Sequence, residues 1–412
     1  MDGMKTLGII AEYNPFHKGH AYMIEEAKKK SGAERVIAVM SGSFVQRGEP
    51  AAFDKWTRAQ AALLNGVDMV LELPVLFAAS SAETFARGGV RVLHESGLVD
   101  TLCFGSESGD LTAMQEAAKL MDNETEEFQR LLKEFLDEGL SYPAARAKAL
   151  ETVSHVSSEI LSRPNHILGL EYLKALEHFH SAMEPMTIKR EGDYASLSLA
   201  EPSGFASAAA IRRALEEGQT EEAFLHLPEN THELYRGALE SNTAPVSWDG
   251  LALALHYRLR MMSAEEIRDI SEVTEGLENR ILHSIDTCYD LPDVIEFIKT
   301  KRYTRTKIQR ILLHILLDIK AREVSYFQEK RHLPYIRVLG FRKEQADILG
   351  DLTESAKCPI LTNLKKAPEI LDEDGLHLLA LEKTATDLHT LAYPSPASRG
   401  PNRDFTAPLA II

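Results

Sequence analysis

The first hundred residues alternate short, almost uninterrupted apolar runs with stretches of helical periodicity, and this alternation constrains the fold more than any other feature. TLGIIA (6–11), ERVIAVM (34–40), the run at 68–73 stopped by Pro74, and TLCF (101–104) read as buried strands. Between them, residues 20–30, 55–65 and 79–95 read as helices, with Trp56, Ala59 and Leu63 on one face of the second. Such repetition predicts an α/β fold with a parallel sheet and right-handed crossovers. Ligands then bind beyond the carboxyl ends of the strands, which lead here into the loops 12–19, 41–54 and 105–110.

Beyond this unit, residues 111–180 read as mostly helical, 187–190 as a fifth strand and 205–217 as a short helix. Residues 247–327 are helical again, including KIQRILLHILLDI (307–319); YIRVLG (335–340) and 359–362 return to strand around a helix at 343–349. The expected organisation is a catalytic domain at 4–225, a helical region at 230–330, a small α/β part at 331–394 and a loose Pro/Gly/Ser-rich tail at 395–412. With 46 Lys+Arg against 62 Asp+Glu, the net charge of −16 excludes a general polyanion binder, so any nucleic-acid contact needs a local basic patch. The three cysteines, Cys103, Cys288 and Cys358, form neither a disulfide framework nor a metal-binding spacing. With no apolar run of membrane-spanning length, a cytoplasmic protein with no membrane partner and no protein-bound metal is expected.

The most informative stretch is EYNPFHKGH (12–20), between the first strand and the first helix. Gly19 permits close approach of backbone and ligand, and the following helix offers free amides and the positive end of its dipole. His17 and His20, three apart at the turn, can face a phosphate as neutral donors or as imidazolium. Pro15 stiffens the entry, and Asn14 can bond a phosphate or a turn amide. An isolated HxxH would more often be a surface pair; its place after strand one favours function. A zinc site would lack its glutamate and third ligand.

HKGH resembles the HxGH signature of the HIGH superfamily, which includes nucleotidyltransferases and class I aminoacyl-tRNA synthetases. The ordered set GIIAEYNPFHKGH, SGSFVQRGEPA, DMVLELP, FGSE, RPNHILGLEY, TIKR and RYTRTKIQRILLHILL, collinear from Met4 to about Pro394, resembles the bacterial tRNA(Met) cytidine acetate ligase family. The resemblance implies a Rossmann-like, HIGH-type nucleotidyltransferase fold. It also implies ATP binding by Ile10, Ala11, Glu12, Tyr13, Asn14, Pro15, Phe16, His17, Gly19 and His20. Gly105, Asn165 and Arg190 are implied as further ATP contacts; on their own they read equally as a turn glycine, a helix cap and a strand-end arginine. FASAAAIRR (205–213) stands where nucleotidyltransferases carry ISSTxIR: Ser207 and Arg212 remain, Ala208 and Ala209 replace two hydroxyl residues. No KMSKS-like loop is recognisable, which disfavours a standard aminoacyl-tRNA synthetase.

Catalysis is expected from His17 and His20, assisted by Lys18 or by Arg47, whose planar fork suits a carboxylate or phosphate but which also reads as a solvated loop residue. Lys55 and Arg58 are equally ambiguous. Lys299, Lys301, Arg302, Arg305, Lys307 and Arg310 lie within twelve residues free of acids, with Tyr303 interleaved for base stacking. They form the expected tRNA-binding patch, extended by Arg331, Arg337, Arg342, Lys365 and Lys366; a solvated helix face is the bland alternative. The reaction the resemblance implies is activation of acetate by ATP, then acetyl transfer to the wobble cytidine of elongator tRNA(Met). Magnesium on the triphosphate is compatible with it, but no acidic motif demands it. A small-molecule adenylyltransferase or pantothenate-synthetase-like ligase, and a non-catalytic RNA-binding protein, are the alternatives.

Overall fold

A computed structural model describes residues 4–122, 125–140, 142–153, 163–190, 197–199, 205–274, 276–300 and 302–412. Its strands follow the expected runs closely: β1 Thr6–Ala11, β2 Arg35–Ser41, β3 Met69–Leu73, β4 Thr101–Ser106 and β5 Glu184–Lys189. They pair in parallel in the spatial order β5-β4-β1-β2-β3. The chain winds one way from β1 to β3 and the other way from β4 to β5, so the order reverses between β1 and β4, where an open α/β sheet holds its ligand. In β2, Val36, Ala38 and Met40 pack into one apolar cluster and Ile37 and Val39 into another, so helices cover both faces of the sheet.

Four helices reach the carboxyl edge of the sheet: α1 Lys18–Ser31, α2 Lys55–Leu64, α3 Ala82–Ser96 and α4 Pro164–His178. Asp54 and Ser81 cap α2 and α3 through their side chains. Three later helices matter below: α5 Ala208–Glu216, α6 Arg305–Leu317 and α7 Glu373–Leu391. Ile311, Leu312 and Ile315 of α6 are core, and Leu316 is partly buried against them. No helix among the described residues is long and apolar enough to cross a membrane.

The C-terminal third departs from the expected division. Strand β6, Ile336–Phe341, runs antiparallel to β3 and extends the N-terminal sheet, with β7 (Ile360–Leu361) and β8 (Ala410–Ile411) beside it. The tail is not loose at its end. Asp404 is buried, accepts an ion pair from Lys55 (2.8 Å) and meets Arg337 (2.5 Å); both cations also hold Glu72, at 2.6 and 2.8 Å. Arg337 is therefore a core residue and no part of an RNA surface. Charges that look solvated in sequence are buried here because each finds an opposite partner.

Candidate active site

A cleft of about 440 Å³ opens at the order reversal, across the carboxyl ends of β4, β1 and β2. At its centre lies the turn into α1. His17 is the N-cap: its Nδ1 accepts the Gly19 amide at 3.1 Å, and the His20 Nδ1 accepts the His17 amide at 3.3 Å. The two rings lie 3.9 Å apart, 32° from parallel. Both Nδ1 atoms being acceptors, each imidazole keeps its proton on Nε2. Burial, reinforced by Arg190, His226 and Arg212, pushes His17 down to about 3; burial, His17 and Arg190 hold His20 well below the usual range. The pair is neutral, which decides between the two protonation states the sequence allowed. A Cβ on Gly19 would fall 2.9 Å from the His17 ring, so the glycine makes room for the histidine.

The turn is held from behind. Tyr13, at φ +47°, stands edge-on to His20 at 5.0 Å, and the Phe16 amide donates to the Tyr235 hydroxyl at 3.0 Å. Asn14 accepts from the Ala52 amide at 2.8 Å, while its buried Nδ2 has no protein partner. Arg58 is fully buried and bonds only backbone carbonyls: Phe53 (3.0 Å), Glu12 (2.6 Å), Ser41 (3.0 Å) and Gly42. It ties the ends of β1 and β2 together.

On the β4–β5 side, a Cβ on Gly105 would meet the Arg190 Cγ at 2.8 Å, so this glycine admits the arginine stem. Arg190 donates to the Asn165 Oδ1 at 3.1 Å, and Asn165 Nδ2 donates to Glu107 Oε1 at 2.9 Å. The Glu107 carboxylate also accepts the backbone amides of Asn165 (3.2 Å) and His166 (3.0 Å). Glu107, rather than Asn165, thus caps α4, leaving the asparagine side chain in the cleft wall.

On the β2 side, Val45, Gln46, Arg47 and Glu49 line the cleft. Arg212 of α5 donates to the Asn14 carbonyl at 2.8 Å and to Glu49 at 3.3 Å. Glu12 accepts the Gln46 amide at 3.0 Å, and burial raises its carboxyl despite that bond and the nearby arginines.

The cleft wall thus contains Ile10, Ala11, Glu12, Tyr13, Asn14, His17, His20, Arg47, Gly105, Asn165, Arg190 and Arg212 of the expected residues. Pro15, Phe16, Gly19 and Ser207 lie outside it. Phe16 is core, and the Ser207 hydroxyl caps α5 by accepting the Ala210 amide, leaving Ala208 and Ala209 on the wall. Lys18 is turned away, its Nζ donating to the Leu225 carbonyl at 2.8 Å.

The basic patch divides. Lys299 and Arg305 share Glu296, at 3.1 and 3.0 Å. Arg302 and Lys307 lie over the Tyr303 ring, at 5.6 and 5.4 Å, and the Tyr303 hydroxyl accepts from Thr274. Arg310 leaves the patch: it forms a bidentate pair with Glu272 (both contacts 2.7 Å) and lines the cleft with Thr306. Lys301 lies outside the described residues. No group of three or more His, Cys, Asp or Glu able to hold a metal ion gathers among the described residues. Sequence reasoning missed Glu49, Glu107, Glu272 and Thr306; the first, second and fourth stand inside the quoted motifs SGSFVQRGEPA, FGSE and RYTRTKIQRILLHILL, and Glu272 stands in none.

A family model described as HIGH nucleotidyl transferase matches residues 4–404. The tRNA(Met) cytidine acetate ligase of Acetivibrio thermocellus is 39% identical, covering 99% of this chain and 100% of that one. Its counterpart from Caldanaerobacter subterraneus is 40% identical over 95% of this chain and 96% of its own. Among solved structures, Thermotoga maritima TmcAL bound with alpha-thio ATP superposes with a TM-score of 0.91 at 34% identity, over 99% of this chain and 100% of that one. The apo form of the same protein gives 0.93.

Proposed function

The chain belongs to the tRNA(Met) cytidine acetate ligases of the HIGH nucleotidyl transferase family, and from this we propose that it is an ATP-dependent ligase that acetylates the wobble cytidine of elongator tRNA(Met). In the first step an acetate oxygen attacks the α-phosphorus of ATP; the bond to the bridging oxygen breaks and pyrophosphate leaves. In the second, the exocyclic amine of cytidine attacks the acetyl carbon, AMP departs, and the nitrogen loses a proton to give N(4)-acetylcytidine. Activation is needed because a carboxylate is a poor acyl donor, whereas AMP is a good leaving group.

The observation that carries this reading is the pair of neutral imidazoles at the head of α1. Two fixed Nε2–H donors stabilise charge developing on phosphate oxygens without reorganising during reaction. Asn165 and Arg190, locked to Glu107, and the unpartnered Asn14 amide are assigned to the nucleotide. Arg47 and Arg212 are assigned to its phosphates or to acetate. The catalytic domain is residues 4–225 together with β6, β7 and β8, which extend its sheet, and α6 as an added wall; Lys299, Arg302, Arg305 and Lys307 meet tRNA phosphates.

Incubation with ATP and labelled acetate, with and without tRNA, tests this. Acetyladenylate without tRNA and acetylated tRNA with it are expected. Nucleotide-cofactor synthesis, or no turnover, would refute the reading.

A further inference from the structure

Helix α6 belongs to two surfaces at once. Its first turn carries Arg305 and Lys307 of the basic patch, while Thr306 and Arg310, one turn apart on a single face, line the cleft. Lys307 and Arg310 are separated by about 4.5 Å along the helix axis, within the span of one nucleotide from phosphate to base. The cleft itself has two flanks about the histidine pair at the end of β1. Gly105, Asn165 and Arg190 stand on the β4–β5 side, and loop 45–49 with α6 on the β2 side. The first flank is assigned above to the nucleotide; the second adjoins the patch.

The place of α6 on that flank is fixed repeatedly. A Cβ on Gly48 (φ +75°) would fall 2.5 Å from the Arg310 backbone nitrogen, an approach only glycine permits. Gln309 donates to Glu49 at 3.2 Å, and His314 Nε2 donates to the Ala79 carbonyl at 2.8 Å. Glu272, which takes the Arg310 guanidinium, lies at φ +65°, a backbone state that a residue other than glycine holds where its surroundings impose it. Two residues on, Thr274 donates to the Tyr303 hydroxyl at 3.0 Å. Segment 272–274 thus braces both the cleft face of α6 and the ring beneath Arg302 and Lys307.

Arg310 is buried, and Glu272 accepts from its Nε and Nη2. A guanidinium presents its donors in a rigid fork, so a carboxylate on the Nε edge leaves the Nη1 edge to donate. With its charge already met by Glu272, this arginine is a weak phosphate ligand but still a hydrogen-bond donor for a neutral base. Enzymes that modify a base draw it from its stack and read its pairing edge. On that edge cytosine presents two adjacent acceptors, O2 and N3, beside its amine, whereas uracil presents an N3–H. We infer that the Thr306–Arg310 face of α6 is the acceptor-base subsite: Arg310, oriented by Glu272, donates to cytosine O2 and N3 and leaves the exocyclic amine unbonded for attack. The inference rests on the tRNA-acetylating reading above. Glu272 is a positioning residue, acting through Arg310.

The test compares acetyl transfer to full-length tRNA(Met) assembled by ligation to carry cytidine or 3-deazacytidine, which lacks the N3 acceptor, at the target position. The enzymes are wild type, R310Q, E272N and E272Q. The ratio of the two kcat/KM values on one enzyme sample is insensitive to partial unfolding and to any loss in acetate activation. The 3-deazacytidine penalty should be about 10-fold smaller in R310Q than in wild type, the scale of a base-edge contact. Asparagine suits the left-handed backbone but is too short to hold the guanidinium, so E272N should shrink the penalty without straining the segment. E272Q keeps one acceptor and should fall between. Filter binding of tRNA(Met) by R310Q should keep the wild-type salt slope, because no phosphate contact is lost. An equal penalty in wild type and R310Q overturns the base subsite alone. So does a salt slope lower in R310Q by roughly 0.7 to 0.9 log–log units, which would put Arg310 on a phosphate. Absence of acetyl transfer from wild type to tRNA(Met) carrying cytidine overturns the tRNA-acetylating reading, and the subsite with it.

Discussion

Glu107→Ala offers a sensitive test of how the nucleotide wall is built. One carboxylate accepts two backbone amides at the head of α4 and the Asn165 side-chain amide, and Asn165 in turn receives Arg190. Removing the carboxylate strips a charged cap from a helix start, a loss of about 2 kcal/mol when partial solvent access to the side chain is allowed for. The larger effect is expected on function, because Asn165 and Arg190 lose the anchor that fixes both side chains on the cleft. A KM for ATP raised about 10-fold corresponds to about 1.4 kcal/mol of lost binding, a modest demand on two displaced polar groups. Glu107→Gln keeps one acceptor oxygen and should fall between. The assays are urea unfolding for the cap and ATP-dependent adenylate formation at saturating acetate for the wall. E107A with a normal unfolding midpoint would refute the capping argument; a normal KM for ATP would refute the relay through Asn165.

Three further outcomes are expected. His20→Ala should lower acetyladenylate formation by about 10²-fold or more, while Lys18→Ala should leave it nearly unchanged because that side chain faces the Leu225 carbonyl; equal losses in the two would refute the site geometry. Stability should fall on acidification: His17 and His389 are held neutral to about 3 and about 4, and His20 and His314 are also depressed. Below about pH 6.5 the unfolded chain binds the protons that His17 and His389 refuse, at about 1.4 kcal/mol per pH unit for each, and His20 and His314 act in the same direction; Glu382, held protonated up to about 8, and Glu12, also raised by burial, act against them. A flat urea midpoint between pH 7 and 5 would contradict this. Replacing Arg302, Arg305 and Lys307 with alanine should spare acetate activation and weaken tRNA binding. The salt dependence of that binding should fall by roughly 0.7 to 0.9 log–log units for each phosphate no longer neutralised; an unchanged slope would make the patch a solvated face.

The parallel sheet was legible because buried strands advertise themselves as continuous apolar runs, and the ends of β1 to β4 lie within about two residues of the expected positions. His17 and His20 were legible because both stand in one local turn. What stayed hidden depends on partners far along the chain. Arg58 and Arg337 carry the same side chain as solvated arginines, and only the carbonyls or carboxylates they meet make them core. Arg310 belongs by sequence to a basic run, yet it lies on the face of α6 toward Glu272, one helical turn or more from the exposed cations. YIRVLG was readable as a strand, but nothing local showed that it would lie antiparallel to β3. The Pro- and Gly-rich tail lacks an apolar run, and it is held by an ion cluster and a two-residue strand instead.

The antiparallel joining of β6 to β3 also governs how the molecule comes into being on the ribosome. Strand β3 ends at Leu73 and its neighbour begins at Ile336, so 336 − 73 = 263 residues of translation separate the two edges. At roughly 5–20 residues per second, that is on the order of 13 to 50 seconds. Throughout that interval MVLEL presents an unpaired, almost wholly apolar edge, the kind of surface that templates intermolecular pairing. Its one acid, Glu72, has Lys55 from the start but waits equally long for Arg337. The nascent chain therefore carries an open strand edge until β6 is made, and slowing synthesis anywhere between these two strands prolongs its exposure to aggregation.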